Sequence, residues 1–282
     1  MALEQDKFGG GVAVVTGAGA GIGMGLSRRF AGIGMHVVVT DVSIERAEGV
    51  VAQIQANGGK AEALQVDVSK PEALDELAET VFAKHGSVRV LVNNAGIETM
   101  GYTWEIPAAR WEATLDINIH GVVHGCRAFI PRMIAQGGES WIANLASIGA
   151  FGQMPTQTAY MMTKHAVQSF TECLYLELEH AGHPIHVSSI IPGMLKTSIF
   201  EASAGKGEPE AAARHRTIMR EMAMAYGMDL DEGCAIFVRK MAENLFWVDS
   251  QPEMTTDAVN SRLEFLGRQG EPRLTEQSRA LL

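Results

Sequence analysis

Tyr160 and Lys164 stand four residues apart in a stretch of helical pattern, and Ser147 lies thirteen residues upstream, where an apolar strand closes. Side chains at i and i+4 project from one face of a helix, so an ammonium can lie beside a phenol and favour its ionised form. An unperturbed phenol titrates near ~10, which makes a lone tyrosine a poor base at neutral pH until a positive neighbour lowers its pKa. The chemistry this spacing offers is proton transfer at an oxygen, with Tyr160 as acid/base and Lys164 as the tuning charge. A Tyr-x-x-x-Lys pair alone is weak evidence, because two solvated residues of any long helix give it by chance.

Other segments raise its weight. Thr16-Gly17-Ala18-Gly19-Ala20-Gly21-Ile22-Gly23 joins a strand pattern to a helix pattern. A turn that must approach a pyrophosphate needs residues without a Cβ, and the helix that follows offers its positive end. Asp41 comes eighteen positions after Gly23, at the end of the second strand, where a carboxylate can accept bonds from ribose hydroxyls and repel a 2′-phosphate. NAD is therefore expected over NADP. Ala18, Ala20 and Val42 supply no cation for a phosphate, and Arg46, the nearest one, reads as a solvated helix position. Asn93-Asn94-Ala95-Gly96, Asn118 and Pro192-Gly193 complete the series.

In this order the motifs resemble the classical short-chain dehydrogenase/reductase family, from about residue 8 to about residue 248. The resemblance implies Tyr160 as catalytic acid/base and Ser147 as the group polarising the substrate oxygen. It implies that Lys164 binds the nicotinamide ribose and lowers the tyrosine pKa, and that Asn118 holds a water linking Lys164 to solvent. The implied cofactor contacts are Gly17, Gly19, Gly21, Ile22, Gly23 and Asp41, then Asp67 and Val68 beside the adenine. Asn94, Ala95, Gly96, Pro192 and Gly193 lie further along the cofactor, and Leu195 and Thr197 at the carboxamide. Asp67 could instead cap a helix beginning near Pro71, and Thr197 could be an exposed loop hydroxyl. The activity implied is NAD-dependent interconversion of a secondary alcohol and a ketone. The alternatives are a non-catalytic NAD-binding sensor or scaffold, which has no chemical need of Ser147, Tyr160, Lys164 and Asn118 together, and an NADPH-dependent 3-oxoacyl reductase. An epimerase or dehydratase of the extended group would carry a larger substrate domain.

The elements that must hold these residues alternate. Strand patterns at 12–16, 36–40, 61–66 and 88–92 are separated by helix patterns at 22–32, 43–57 and 71–85. A long helix is expected at 107–135, a strand at 141–145, a second long helix at 158–180 and strands at 185–191 and 244–248. Short β-branched runs bounded by Gly, Asp or Asn suit strands buried on both faces, so the fold expected is α/β, one doubly wound Rossmann-type domain over 1–282 with a mostly parallel sheet. Between 194 and 231 Gly205, Gly207 and Pro209 interrupt the pattern before Met219, Met222, Met224 and Met228; this is the expected substrate lid, its methionines serving packing or substrate contact alike.

The substrate pocket is assigned to Ser147, Gln153, Met154, Tyr160 and Met194, with Ile97, Ile148 and Gln157 beside them. Apolar side chains with two amides suit a hydrophobic, aromatic or alicyclic substrate, and no arginine stands out as a carboxylate clamp. After 248 the family's usual Asp-Gly-Gly gives way to Asp249-Ser-Gln-Pro-Glu253 and a further helix. This extension over 249–282 is similar to the tail of a subset that includes bacterial dehydrogenases acting on aryl-propane alcohols. The helices at 107–135 and 158–180 resemble the pair through which the family forms dimers and tetramers, so a homo-oligomer is expected.

The net charge of −10 argues against nucleic acid and anionic membrane as partners. No apolar run approaches the ~18 residues of a span, and the N-terminus lacks a basic segment before an apolar one, so a cytoplasmic protein acting on a small molecule is expected. Cys126, Cys173 and Cys234 lie far apart and read as buried, reduced thiols. His120 and His124 share i,i+4 spacing without further ligands nearby, so no metal is expected.

Overall fold

Runs of valine and isoleucine supply the strands, because β-branched side chains suit a pleated surface covered on both sides. The structure, a computed structural model, describes residues 1–201 and 209–281. Its strands are β1 (Val12–Val15), β2 (His36–Asp41), β3 (Lys60–Gln65), β4 (Val90–Asn93), β5 (Ser140–Leu145), β6 (Ile185–Ile191) and β7 (Trp247–Asp249). They form one parallel sheet in the order β3-β2-β1-β4-β5-β6-β7. The helices are α1 (Ala2–Phe8), α2 (Gly21–Gly32), α3 (Ile44–Ala56), α4 (Pro71–His85), α5 (Ala108–Leu115), α6 (Gly121–Gln136) and α7 (Thr158–His180). Then come α8 (Glu210–Tyr226), α9 (Leu230–Ala242), α10 (Pro252–Arg268) and α11 (Glu276–Leu281).

The period of two along β1 divides the core. Ala13 and Val15 meet Phe8, Leu26, Phe30 and Phe237 on one face, while Val14 meets Leu74, Phe129 and Leu178 on the other. Helices α1, α2, α3 and α9 thus cover one side and α4, α6 and α7 the other, the doubly wound arrangement. The chain winds outward from β1 to β3, then returns to β4 on the far side of β1. That reversal opens a crevice at the carboxyl ends of β1 and β4, where such sheets bind ligands.

Two expectations change, and one element is new. The helix foreseen at 107–135 is α5 and α6 joined by a π-helical turn, Asp116–His120, which carries Asn118. The extra residue in that turn lets the Asn118 amide reach the main chain of Ile97, and π turns of this kind recur at functional sites. The last strand begins at Trp247 rather than at 244, because Asn244 takes a left-handed φ of 58° after α9 and accepts a bond from Trp141 Nε1 at 2.8 Å. The segment before residue 9, to which the sequence pattern assigns no element, is α1: Phe8 is fully buried and stands edge-on to Trp141 with ring centroids 5.0 Å apart. Gly205 and Gly207 of the expected lid lie outside the described residues. No described helix is long and apolar enough to cross a membrane.

Candidate active site

A cavity of about 600 Å³ opens along the carboxyl ends of the strands. At one end the chain turns from β1 into α2. Gly17 has a φ of 60°, and a Cβ there would sit 2.7 Å from Ala95 Cα; one on Gly23 would sit 2.5 Å from Asn94 Nδ2. Asn94 Nδ2 donates to the carbonyls of Thr16 and Gly17 at 2.7 and 3.0 Å, which pins this turn against β4. α2 begins at Gly21 with Ala20 before it and no side-chain cap, so its first amides have no side-chain claimant. A turn that side chains would fill, opening on uncapped amides, fits a pyrophosphate. Gly17, Gly21 and Ile22 border the cavity, whereas Gly19 and Gly23 do not.

Asp41 ends β2 on the same cavity, but its carboxylate is not free. Oδ2 accepts from Gly19 N at 3.0 Å, while Oδ1 accepts from Ser43 N at 3.0 Å and pairs with Arg46 Nη2 at 2.5 Å. Arg46, read from sequence as a solvated helix position, is instead an ion-pair partner that also borders the cavity. Asp67, Val68, Asn94, Ala95, Gly96, Pro192, Gly193, Leu195 and Thr197 all line the cavity. Asp67 does not cap α4; its Oδ1 accepts from Ser69 N and Ser69 Oγ at 3.0 and 2.7 Å. The extension contributes contacts that sequence reasoning left open. Gln251 Oε1 accepts from Met194 N at 2.7 Å, and Ser250 Oγ from Gly193 N at 3.4 Å, so the chain after β7 holds the turn after β6.

Ser147, Tyr160 and Lys164 meet on one wall. Ser147 Oγ accepts from Gly149 N at 3.0 Å, which leaves its O–H free to donate towards the Tyr160 phenol. Lys164 Nζ lies 5.5 Å from the Tyr160 ring centroid and donates to Leu145 O at 2.7 Å. Burial pushes Lys164 down to about 8. Tyr160 moves the other way: burial and the Glu98 carboxylate push its pKa above the ordinary phenol value, against the Ser147 hydrogen bond. Desolvation thus weighs against the charge expected from Lys164, whose ammonium is itself engaged by the Leu145 carbonyl. The Asn118 amide is fully engaged as well, by Ile97 N, Ile97 O and Thr163 Oγ1 at 2.8, 2.9 and 3.1 Å, and Asn118 does not border the cavity.

The remaining wall differs from its sequence reading. Ile97, Ile148, Gln157 and Met194 line the cavity, but Gln153 and Met154 do not, because the loop turns at Thr156, whose φ is 65°. Met161, Ile199, Phe200 and Met219 line it instead. Met219 is the one methionine of the expected lid stripe that borders it; Met224 is exposed, and Met228 lies past α8, bridging to Leu195. Charge is present too. Glu98 is 3% exposed, accepts from Gln157 Nε2 at 3.3 Å, and through its carbonyl accepts from Arg110 Nη2 at 3.1 Å. Burial pushes Glu98 up to about 8 although Lys164, Arg216 and Arg110 pull it down. Glu98 follows the Asn-Ala-Gly run by two residues; a carboxylate so near an apolar segment was the signal available.

Of the thiols, Cys126 and Cys234 are buried and pushed up to about 12, whereas Cys173, read as buried, is exposed. His120 pairs with Asp116 at 2.9 Å, and its ring stands 6.0 Å from that of His124.

Comparison with known proteins agrees with this geometry. The chain is 36% identical over 227 residues to a probable oxidoreductase, EphD, of Mycobacterium bovis, covering 79% of this chain but only 38% of that protein. It is 35% identical to a 1-deoxy-11-beta-hydroxypentalenate dehydrogenase of Streptomyces avermitilis (75% and 77% covered) and 33% identical to a cyclohexanol dehydrogenase of an Acinetobacter species (74% and 87%). Among solved structures, a short chain dehydrogenase/reductase from Burkholderia phymatum in complex with NAD superposes with a TM-score of 0.89 at 29% identity, over 95% of this chain and 98% of that one. A metagenomic short-chain oxidoreductase in complex with NADP superposes at 0.63 with 30% identity, over 79% and 96%. The short chain dehydrogenase profile matches residues 11–207, and the chain belongs to the short-chain dehydrogenase/reductase family.

Proposed function

We propose that this protein oxidises a hydrophobic secondary alcohol to a ketone, or runs the reverse reaction, with a nicotinamide dinucleotide. The observation that carries the reading is one cavity bordered by the glycine turn and Asp41 at one end and by Ser147, Tyr160 and Lys164 at the other. The bound nicotinamide supplies the hydride acceptor or donor and, when oxidised, a positive charge that favours a phenolate. Ser147 O–H donates to the substrate oxygen, and Tyr160 removes or returns the proton on it. Lys164, held by Leu145 O, binds ribose hydroxyls and supplies its charge when protonated. Asn118, its amide engaged, holds Ile97 and Thr163 in place, so any water it binds is held by its main chain. The apolar wall of Ile97, Ile148, Met161, Met194 and Phe200 suits an alicyclic or aromatic body, in keeping with relatives named for cyclic alcohols.

NAD is the proposed cofactor, on the position of Asp41. A second reading rests on Arg46, whose guanidinium sits where a 2′-phosphate would approach and could turn from Asp41 to receive it. A panel of secondary alcohols and ketones, followed by nicotinamide absorbance, tests both. The expected result is turnover of cyclic or aryl-substituted alcohols with kcat/KM for NAD about tenfold or more above that for NADP. Equal efficiency with NADP refutes the argument from Asp41, and turnover with neither favours the sensor.

We also propose a homo-oligomer, through α6 and α7. Leu176 and Tyr175 on α7 and Ile134 on α6 remain exposed. A dimer or tetramer mass in light scattering is expected; a monomer mass at micromolar concentration excludes it.

A further inference from the structure

We infer that His36, Glu62 and His85 form a binding site for a transition-metal dication of the zinc type, at the opposite end of the sheet from the cofactor cavity. His36 opens β2, Glu62 lies on the edge strand β3, and His85 ends α4. The register pairs His36 with Lys60 and Val38 with Glu62, so His36 and Glu62 point to the same face of the sheet, one step apart. α4 packs on that face and delivers His85 to them.

The donor atoms converge. His85 Nε2 lies 2.6 Å and His36 Nε2 3.5 Å from one oxygen, Glu62 Oε1, and the donor atoms of all three residues lie within 4.8 Å of one another. His36 Nε2 is closed off from solvent, and its long 3.5 Å approach to Glu62 Oε1 falls short of a well-formed hydrogen bond. A buried nitrogen so weakly satisfied is uncommon in folded proteins, and an ion is one of the things that would satisfy it fully. Two imidazoles and a carboxylate match a three-protein-ligand set of zinc, with bonds of ~2.0–2.2 Å and donors roughly 3.3 Å apart in a tetrahedron. Binding therefore asks Glu62 and His85, now 2.6 Å apart, to part by roughly 0.7 Å and displaces the proton between them. The opposing group is Lys84, whose ammonium holds Glu62 Oε2. It is 58% exposed, so it can swing into solvent, but its charge weakens a cation beside it. Once bound, the ion would tie the edge strand β3 to α4 and stabilise the fold by mass action.

The test uses the full chain, free of any affinity tag and first treated with a chelator. Cobalt(II) is titrated to look for the intense visible bands of a low-coordinate site, and zinc is then measured by calorimetry and by its effect on Tm. Stoichiometric cobalt bands that zinc abolishes are expected, together with a raised Tm. His36→Ala and His85→Ala should each weaken zinc by roughly a hundredfold while leaving cofactor affinity unchanged, and Lys84→Ala should tighten it. His85 ends a helix at the surface, so its variant keeps the test open if His36→Ala folds poorly. Cobalt spectra without such bands, or bands that survive in the histidine variants, overturn the site, and neither outcome touches the proposed dehydrogenase chemistry.

Discussion

Tyr160→Phe is expected to lower kcat by about a thousandfold while the affinity for NAD stays within a factor of about two. The change removes one oxygen and keeps the ring, so the start of α7 and the position of Lys164 are preserved. Ser147, the other hydroxyl assigned to the substrate oxygen, cannot take over, because an alcohol is a far weaker acid than a phenol and its oxygen already accepts from Gly149 N. Binding is insulated from the change, since the glycine turn, Asp41 and Lys164 all remain. Steady-state turnover on the best substrate, with NADH binding followed by fluorescence, checks both halves. Ordinary turnover in the variant would place the acid/base elsewhere and sink the mechanism.

Glu98→Gln should stabilise the protein at pH 8 and change its pH profile. The Glu98 carboxyl is raised from 4.5 to about 8, mainly by burial. At pH 4 both folded and unfolded chains carry its proton, and the residue adds no pH dependence. As pH rises from 4.5 to 8 the unfolded chain releases that proton while the folded one retains it, so stability falls through this window and stays low above it. A glutamine has no such loss. The variant should match the parent in Tm near pH 4 and exceed it at pH 8 by on the order of a few kcal/mol of unfolding free energy. Activity should respond in the same range. Above pH 8 the Glu98 charge raises the pKa of Tyr160 and supports that of Lys164. Without it, both groups lose their protons earlier, and the bell-shaped profile for alcohol oxidation should move about one pH unit towards acid. Arg110, Arg216 and Gln157, which face the same carboxyl, are unchanged in the variant and serve as its control. Superimposable profiles would mean that Glu98 does not couple to the Tyr160 and Lys164 pair. A buried carboxyl that costs stability at the working pH is understandable where it sets a neighbouring acid/base.

The order of strands and helices was legible in the chain because its signals are local. Valine runs, the glycines of 17–23 and helices such as Pro71–His85 and Thr158–His180 carry their periodicity within a single window of sequence. The same is true of the spacing of Tyr160 and Lys164, fixed by the pitch of one helix. The long-range partners could not be read this way. Glu98 meets Gln157 across 59 positions, Gln251 holds Met194 across 57, and Arg46 is close enough to claim Asp41 only once α3 turns back over the end of β2. A positive φ at Thr156 removes Gln153 and Met154 from the cavity, and residue types alone gave no sign of it.

By itself, then, the sequence determined the architecture, the glycine turn after β1 and the pairing of Tyr160 with Lys164 on one helix face, because short-range sterics and helical pitch constrain each of them. Only the tertiary structure decided how deeply those side chains are buried, which residues wall the cavity and that two distant histidines share one carboxylate. Desolvation and through-space charge depend on what packs around a group, and packing is settled by contacts far apart along the chain.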